Sequence, residues 1–159
     1  MIRLLLFALL LLPVGAAALT LDGTAIQGGL MVGKAAPGTT LSLDGRAIAV
    51  TPEGDFLLGF GRDAKLKAVL SIRHPDGRAE TRTLSVAART YKIQRIDGLP
   101  SRKVEPNPAD VTRIVAERDL LRRVRANIAL EPRFRSGFVW PSKGRISGVY
   151  GSQRILNGQ

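Results

Sequence analysis

Leu41, Leu43, Ile48 and Val50 alternate with small or polar residues on either side of Asp44-Gly45. This predicts two strands joined by a two-residue turn. A type I′ turn needs positive φ at both central positions, and Asp-Gly supplies them at low cost. Pro52-Glu53-Gly54-Asp55 and His74-Pro75-Asp76-Gly77 have the composition of further turns. Leu66, Ala68, Leu70 and Ile72 make another alternating run, and Arg78 to Val86 alternates as well, ending in Leu84 and Val86. Six or seven short strands at this spacing predict a mainly β fold, with a small antiparallel β-sandwich over residues 19–90. The chain has no cysteine, so no disulfide can hold that sandwich and ordinary core burial must do so.

The first 18 residues read as a targeting segment. Met1-Ile2-Arg3 is a short basic start, Leu4 to Leu12 is an unbroken apolar run, and Ala16-Ala17-Ala18 offers a cleavage site. The apolar run is shorter than the roughly 20 residues a bilayer span needs. A signal peptide over residues 1–18 is therefore expected, with the mature chain starting at Leu19 and placed in the periplasm or secreted.

The formal net charge is +11, and it is unevenly spread. Residues 19–90 carry nine Lys/Arg against seven Asp/Glu, whereas residues 91–159 carry fourteen against six. An exported basic chain suits an anionic partner such as a cell-wall polymer or a lipid surface. A solvated basic face without a specific partner fits the same numbers. Nucleic acid is disfavoured, because export removes it from reach and the basic residues are not interleaved with stacking aromatics.

Residues 91–131 read as a linker. Tyr91 to Ile96 can form one more strand, after which Gly98, Pro100, Pro106 and Pro108 interrupt regular structure. Asn107 is a good N-cap, Pro108 suits the first helical position, and Asp110 suits the positive end of the helix dipole. An amphipathic helix is expected from about 108 to 130, with Val111, Ile114, Leu121, Val124 and Ile128 on one side. Arg113, Arg118, Arg122, Arg123 and Arg125 make much of the rest basic. The stripe can pack on a neighbouring domain or dock on an anionic membrane surface or polymer.

Two stretches resemble known families. Gly33 to Phe56 has the cadence G-K-A-A-P-G-T-T-L-S-L-D-G followed by P-E-G-D-F, which resembles the bacterial Ig-like modules of exported proteins. Gly137 to Arg154 reads G-F-V-W-P-S-K-G-R-I-S-G-V-Y-G-S-Q-R. From the residues alone this is a glycine-rich β-hairpin: an apolar strand, a turn at Ser142-Lys143-Gly144 and a second strand. The run Trp140-Pro141, Gly144, Ile146, Gly148, Tyr150, Gly151 resembles the opening of the catalytic domain in lysostaphin-type (LytM-domain) zinc endopeptidases. Tyr91 to Pro100, Y-K-I-Q-R-I-D-G-L-P, is similar to the linker upstream of such domains. On this resemblance, residues 132–159 are the truncated start of a LytM-type domain holding an incomplete β-hairpin.

The resemblance implies an exported enzyme that cuts peptide bonds of peptidoglycan. Its members hold one zinc with a His and an Asp of H-x-x-x-D and a His of a later H-x-H, and the metal polarises the carbonyl and activates a water. None of these motifs is present here. The single histidine, His74, sits in an expected turn, where histidines are usually exposed. No catalytic, metal-binding or cofactor-binding residue is therefore assigned. Zinc belongs to the complete parent protein, and this chain alone is expected to bind none and to be inactive. Other chemistries leave no clear mark. His74 has no G-x-S-x-G partner, no carboxylate spacing singles out a glycosidase pair, and Gly28-Gly29 and Gly59-x-Gly61 lack the lysine of a phosphate loop. The leading expectation is the N-terminal part of a peptidoglycan endopeptidase. The alternative is a complete non-enzymatic envelope protein that binds wall polymer or an enzyme partner.

Overall fold

The computed structural model describes residues 18–159, so the expected signal peptide, Ala18 apart, lies outside the described residues. Seven strands follow in order: β1 (Thr20–Asp22), β2 (Leu30–Lys34), β3 (Thr40–Leu43), β4 (Arg46–Ile48), β5 (Asp55–Gly59), β6 (Lys67–Arg73) and β7 (Ala79–Ser85). They form two antiparallel sheets, β1-β2-β5 and β4-β3-β6-β7. The alternation read from the sequence sets which side chains turn inward. Ala68, Leu70 and Ile72 of β6 are buried while Lys67, Val69, Ser71 and Arg73 are exposed. Met31, Phe56 and Leu58 from the first sheet meet Leu41, Leu70 and Ile72 from the second in one core, so the fold is a mainly β sandwich.

Turn chemistry sets the register. Asp44 (φ 49°) and Gly45 (φ 79°) close the β3–β4 hairpin as a two-residue turn with both residues left-handed. His74 closes the β6–β7 turn, its carbonyl accepting from the Gly77 amide at 3.0 Å. In the first sheet Phe56 pairs with Gly33, and its ring covers the glycine so closely that any Cβ there would fall inside it. Leu66 departs from the expected alternation. It precedes β6 and is exposed.

Beyond the sandwich the architecture changes. β8 (Ile93–Ile96) pairs in parallel with β9 (Gln153–Leu156), with Ile93 opposite Gln153 and Ile96 opposite Leu156. Between them runs α1 (Pro108–Arg125). Asn107 caps the helix by accepting from the Asp110 amide at 2.9 Å, and Pro108 occupies the first turn. The segment expected to be a linker therefore contributes one of the two strands of a parallel ribbon, and the helix lies in its crossover connection.

Three expectations are corrected. The helix ends at Arg125 rather than near 130; Ile128 and Leu130, expected on its last turn, are exposed at the rim of a cleft beside β4 and β5, and Pro132 disfavours helical backbone at Glu131. Among the described residues nothing covers its apolar stripe: Val111, Ile114, Leu121 and Val124 are exposed and no residue of this helix is buried. Arg118 and Arg125 fall within the apolar side at helical spacing, which blurs the two faces. Finally, the hairpin expected over residues 137–154 does not form. Phe138, Val139 and Trp140 are 83%, 91% and 79% exposed, and no amide from 138 to 151 donates a hydrogen bond. Pro141 has no N–H to give, and residues 146–149 lie across a groove from the β8–β9 ribbon without pairing with it. The strand that does form there is β9, which finds β8. Amides 138–148 are expected to exchange with solvent within seconds, while Ile155 and Asn157 are slowed, as hydrogen-exchange mass spectrometry can resolve.

Candidate functional site

The side chains with unusual environments gather where the C-terminal half returns to the sandwich. Asp55, at the start of β5, carries a nearly buried carboxylate. Lys34 donates to Oδ2 at 3.0 Å, and Arg135 donates to Oδ1 through Nε at 2.9 Å and through Nη2. Arg135 Nη2 also donates to the Gly33 carbonyl at 3.3 Å. A 3₁₀ turn at Arg133–Ser136 presents this arginine. The hydrogen bond from Lys34 holds the Asp55 carboxyl below the usual aspartate range, burial opposes it, and Arg135 adds to the lowering.

The folded-state pKa of Asp55 is depressed. Its contribution to stability is therefore complete above the ordinary aspartate range and is lost as pH falls through the depressed folded value. Asp55→Asn is expected to lower the urea midpoint at neutral pH. The difference from the unsubstituted chain should shrink on acidification, measured as paired unfolding curves across the acid range.

A second contact region centres on Tyr91. The Arg62 and Arg89 guanidinium groups lie over its ring, 5.1 Å and 5.4 Å from the centroid. Arg62 Nε donates to the Gly151 carbonyl at 2.7 Å. Gly151 has φ 87°, and a Cβ there would overlap the Tyr91 ring. Gln27 ties the neighbouring segments together, donating to the Ala64 carbonyl at 2.8 Å and accepting from the Arg89 amide at 3.0 Å. The Tyr150-Gly151 end of the glycine-rich run is thus held on the sandwich while Phe138 to Val149 is not.

Two clefts flank these contacts. One, of about 670 Å³, opens between β4 and β5, is lined by Ile48, Leu57 and Phe60, and is crossed by Ile128, Leu130 and Phe134. The other, of about 1060 Å³, lies between the ribbon and residues 146–149.

His74 is not the exposed turn residue expected. Its side chain is 12% exposed, with Nε2 3.4 Å from Glu80 Oε2. The Glu80 carboxyl is held below its usual range by the hydrogen bond from Arg82, against burial, with a smaller lowering from His74. Among the described residues no three of His, Cys, Asp or Glu gather as a metal centre, and no helix is long and apolar enough to cross a membrane. Sequence reasoning passed over Asp55, Arg62, Gln27 and Arg135. Each is a common polar residue whose partners across the fold lie 21 to 102 positions away, and only Arg135, next to Phe134 and three residues past Pro132, sits by a feature that could have drawn notice. A scan with protein-family models gives no match to this chain, and a search of curated proteins gives none.

Proposed function

We propose that this chain is the targeting and regulatory part of an exported zinc endopeptidase acting on peptidoglycan. The observation that carries the reading is a juxtaposition. The two stretches that resemble the surroundings of a LytM-type domain, Tyr91–Pro100 and Gly137–Arg154, are far apart in sequence yet lie side by side through β8 and β9. The Leu99 amide and carbonyl add to this, bonding the Asn157 side chain at 3.0 Å and 2.8 Å. The exposed Phe138, Val139 and Trp140 suit a surface that further polypeptide covers.

The described residues do not offer a ligand set for zinc. The reading therefore gives the metal and the cutting step to the rest of the parent protein, and gives this chain delivery, positioning and wall contact. The sandwich, similar to Ig-like modules, acts as a spacer or binder. The basic second half faces peptidoglycan or another anionic polymer or lipid surface, with Arg123, Arg125 and Lys143 unpaired among the described residues.

Reading the gene past the Gln159 codon tests this. An open frame running into H-x-x-x-D, with H-x-H further on, is the expected result. An immediate stop would sink the enzyme reading and leave a non-enzymatic envelope protein. Wall contact is checked separately by sedimenting the chain with purified murein sacculi. Retention that weakens as salt rises is expected, and an unbound chain at low salt contradicts it.

A further inference from the structure

The groove between the β8–β9 ribbon and residues 146–149 has a one-sided chemistry. Its charged lining residues are Arg89, Lys92 and Arg154; no carboxylate lines it. None of the three cations has an ion-pair partner among the described residues. The opposite wall is Ile146, Ser147, Gly148 and Val149, four successive residues whose amides donate to nothing. Ser147, Ser152, Gln94 and Gln153 add hydroxyl and amide groups, and Ile93, Ile146 and Val149 add apolar surface. The groove thus offers open backbone amides and three cations, beside both polar and apolar side chains.

We infer that this groove receives an extended acidic peptide segment of a partner protein, which pairs backbone to backbone with Ile146–Val149. A strand laid beside them would supply carbonyls to every second of these amides, since alternate N–H groups of an extended segment point to opposite sides. The cations specify the side chains of the guest, because carboxylates on it neutralise Arg89, Lys92 and Arg154. A second copy of this chain is a poor guest, since the formal charge of +11 sets the copies against each other. A lipid surface is flat and cannot follow a recessed wall of amides. The inference goes beyond the enzyme reading and does not depend on it.

The test uses the full chain and a fluorescein-labelled ten-residue peptide of alternating glutamate and threonine, followed by anisotropy. Two comparison peptides replace glutamate by lysine, or place proline at every third position to remove backbone pairing. Binding of the acidic peptide is expected, with the other two weaker by about tenfold or more. Hydrogen exchange at residues 146–149 should slow when the acidic peptide is bound. The double variant Lys92→Glu/Arg154→Glu should lose binding by about tenfold or more, while Lys67→Glu on the exposed side of β6 should not. Unchanged thermal unfolding of the double variant keeps loss of fold apart from loss of binding. If the variant does not fold, the exchange at 146–149 in the unsubstituted chain decides. Equal binding by the proline peptide, unchanged exchange at 146–149, or full binding by a folded double variant would each overturn the inference.

Discussion

Phe56→Ala is expected to remove about 3–5 kcal/mol of stability, the cost of truncating a fully enclosed aromatic ring. Phe56 is 1% exposed and lies at the centre of the core between the sheets. Its backbone links β5 both to β2, opposite Gly33, and to Val50 in an isolated bridge. The ring also rests on Gly33, so truncation uncovers backbone that has no side chain of its own to cover it. A small domain has a total stability of about 5–15 kcal/mol, so this loss is a large part of the whole. Thermal unfolding by circular dichroism should show a midpoint far below that of the unsubstituted chain. A change within scan error would mean that the ring is not the centre of the core.

Gly151→Ala should act locally instead. The residue has φ 87°, which costs a side chain about 1–3 kcal/mol, and the new methyl would meet the Tyr91 ring. The ribbon it anchors has only two strands, a size that is marginal in water. Loss of 1–3 kcal/mol there corresponds to about five- to 160-fold more frequent opening. Exchange at Ile155, Leu156 and Asn157 should speed up by that factor, while amides of β6 in the sandwich stay as they were. Faster exchange in β6 would show that the ribbon and the sandwich unfold as one unit. No change in β9 would show that the Tyr91–Gly151 contact does not hold it.

The sandwich was legible in the sequence because its instructions are local. Asp44-Gly45 specifies a turn within four residues, and the period of two in Ala68-Leu70-Ile72 specifies an inward face without reference to anything else. The cap at Asn107 was legible for the same reason. The other half was not. Tyr91–Ile96 has the composition of a strand, but its partner lies 60 positions later and runs parallel, a pairing that no turn signal announces. The helix terminus was not legible because no glycine or proline stands at Ala126 or Asn127 to mark it. The W-P and glycine pattern after Gly137 carries a hairpin's composition, yet its amides from 138 to 151 remain unbonded. The candidate site was the least legible part, since Asp55 with Arg135 and Tyr91 with Arg62 are ordinary residues until the fold brings them together.

The parallel pairing of β8 with β9 also fixes an order of events in time. A chain is synthesised from its N-terminus. The second sheet is built from neighbours joined mostly by short connections, and the last sandwich strand ends at Ser85. The sandwich can therefore close while the rest is still emerging. β8 cannot: its one strand partner among the described residues begins at Gln153. Until then Ile93 to Ile96 waits as an unpaired edge, and closure must overcome the entropy of the intervening loop. For that interval the waiting strand is the part of the molecule most open to capture by a chaperone or by another chain.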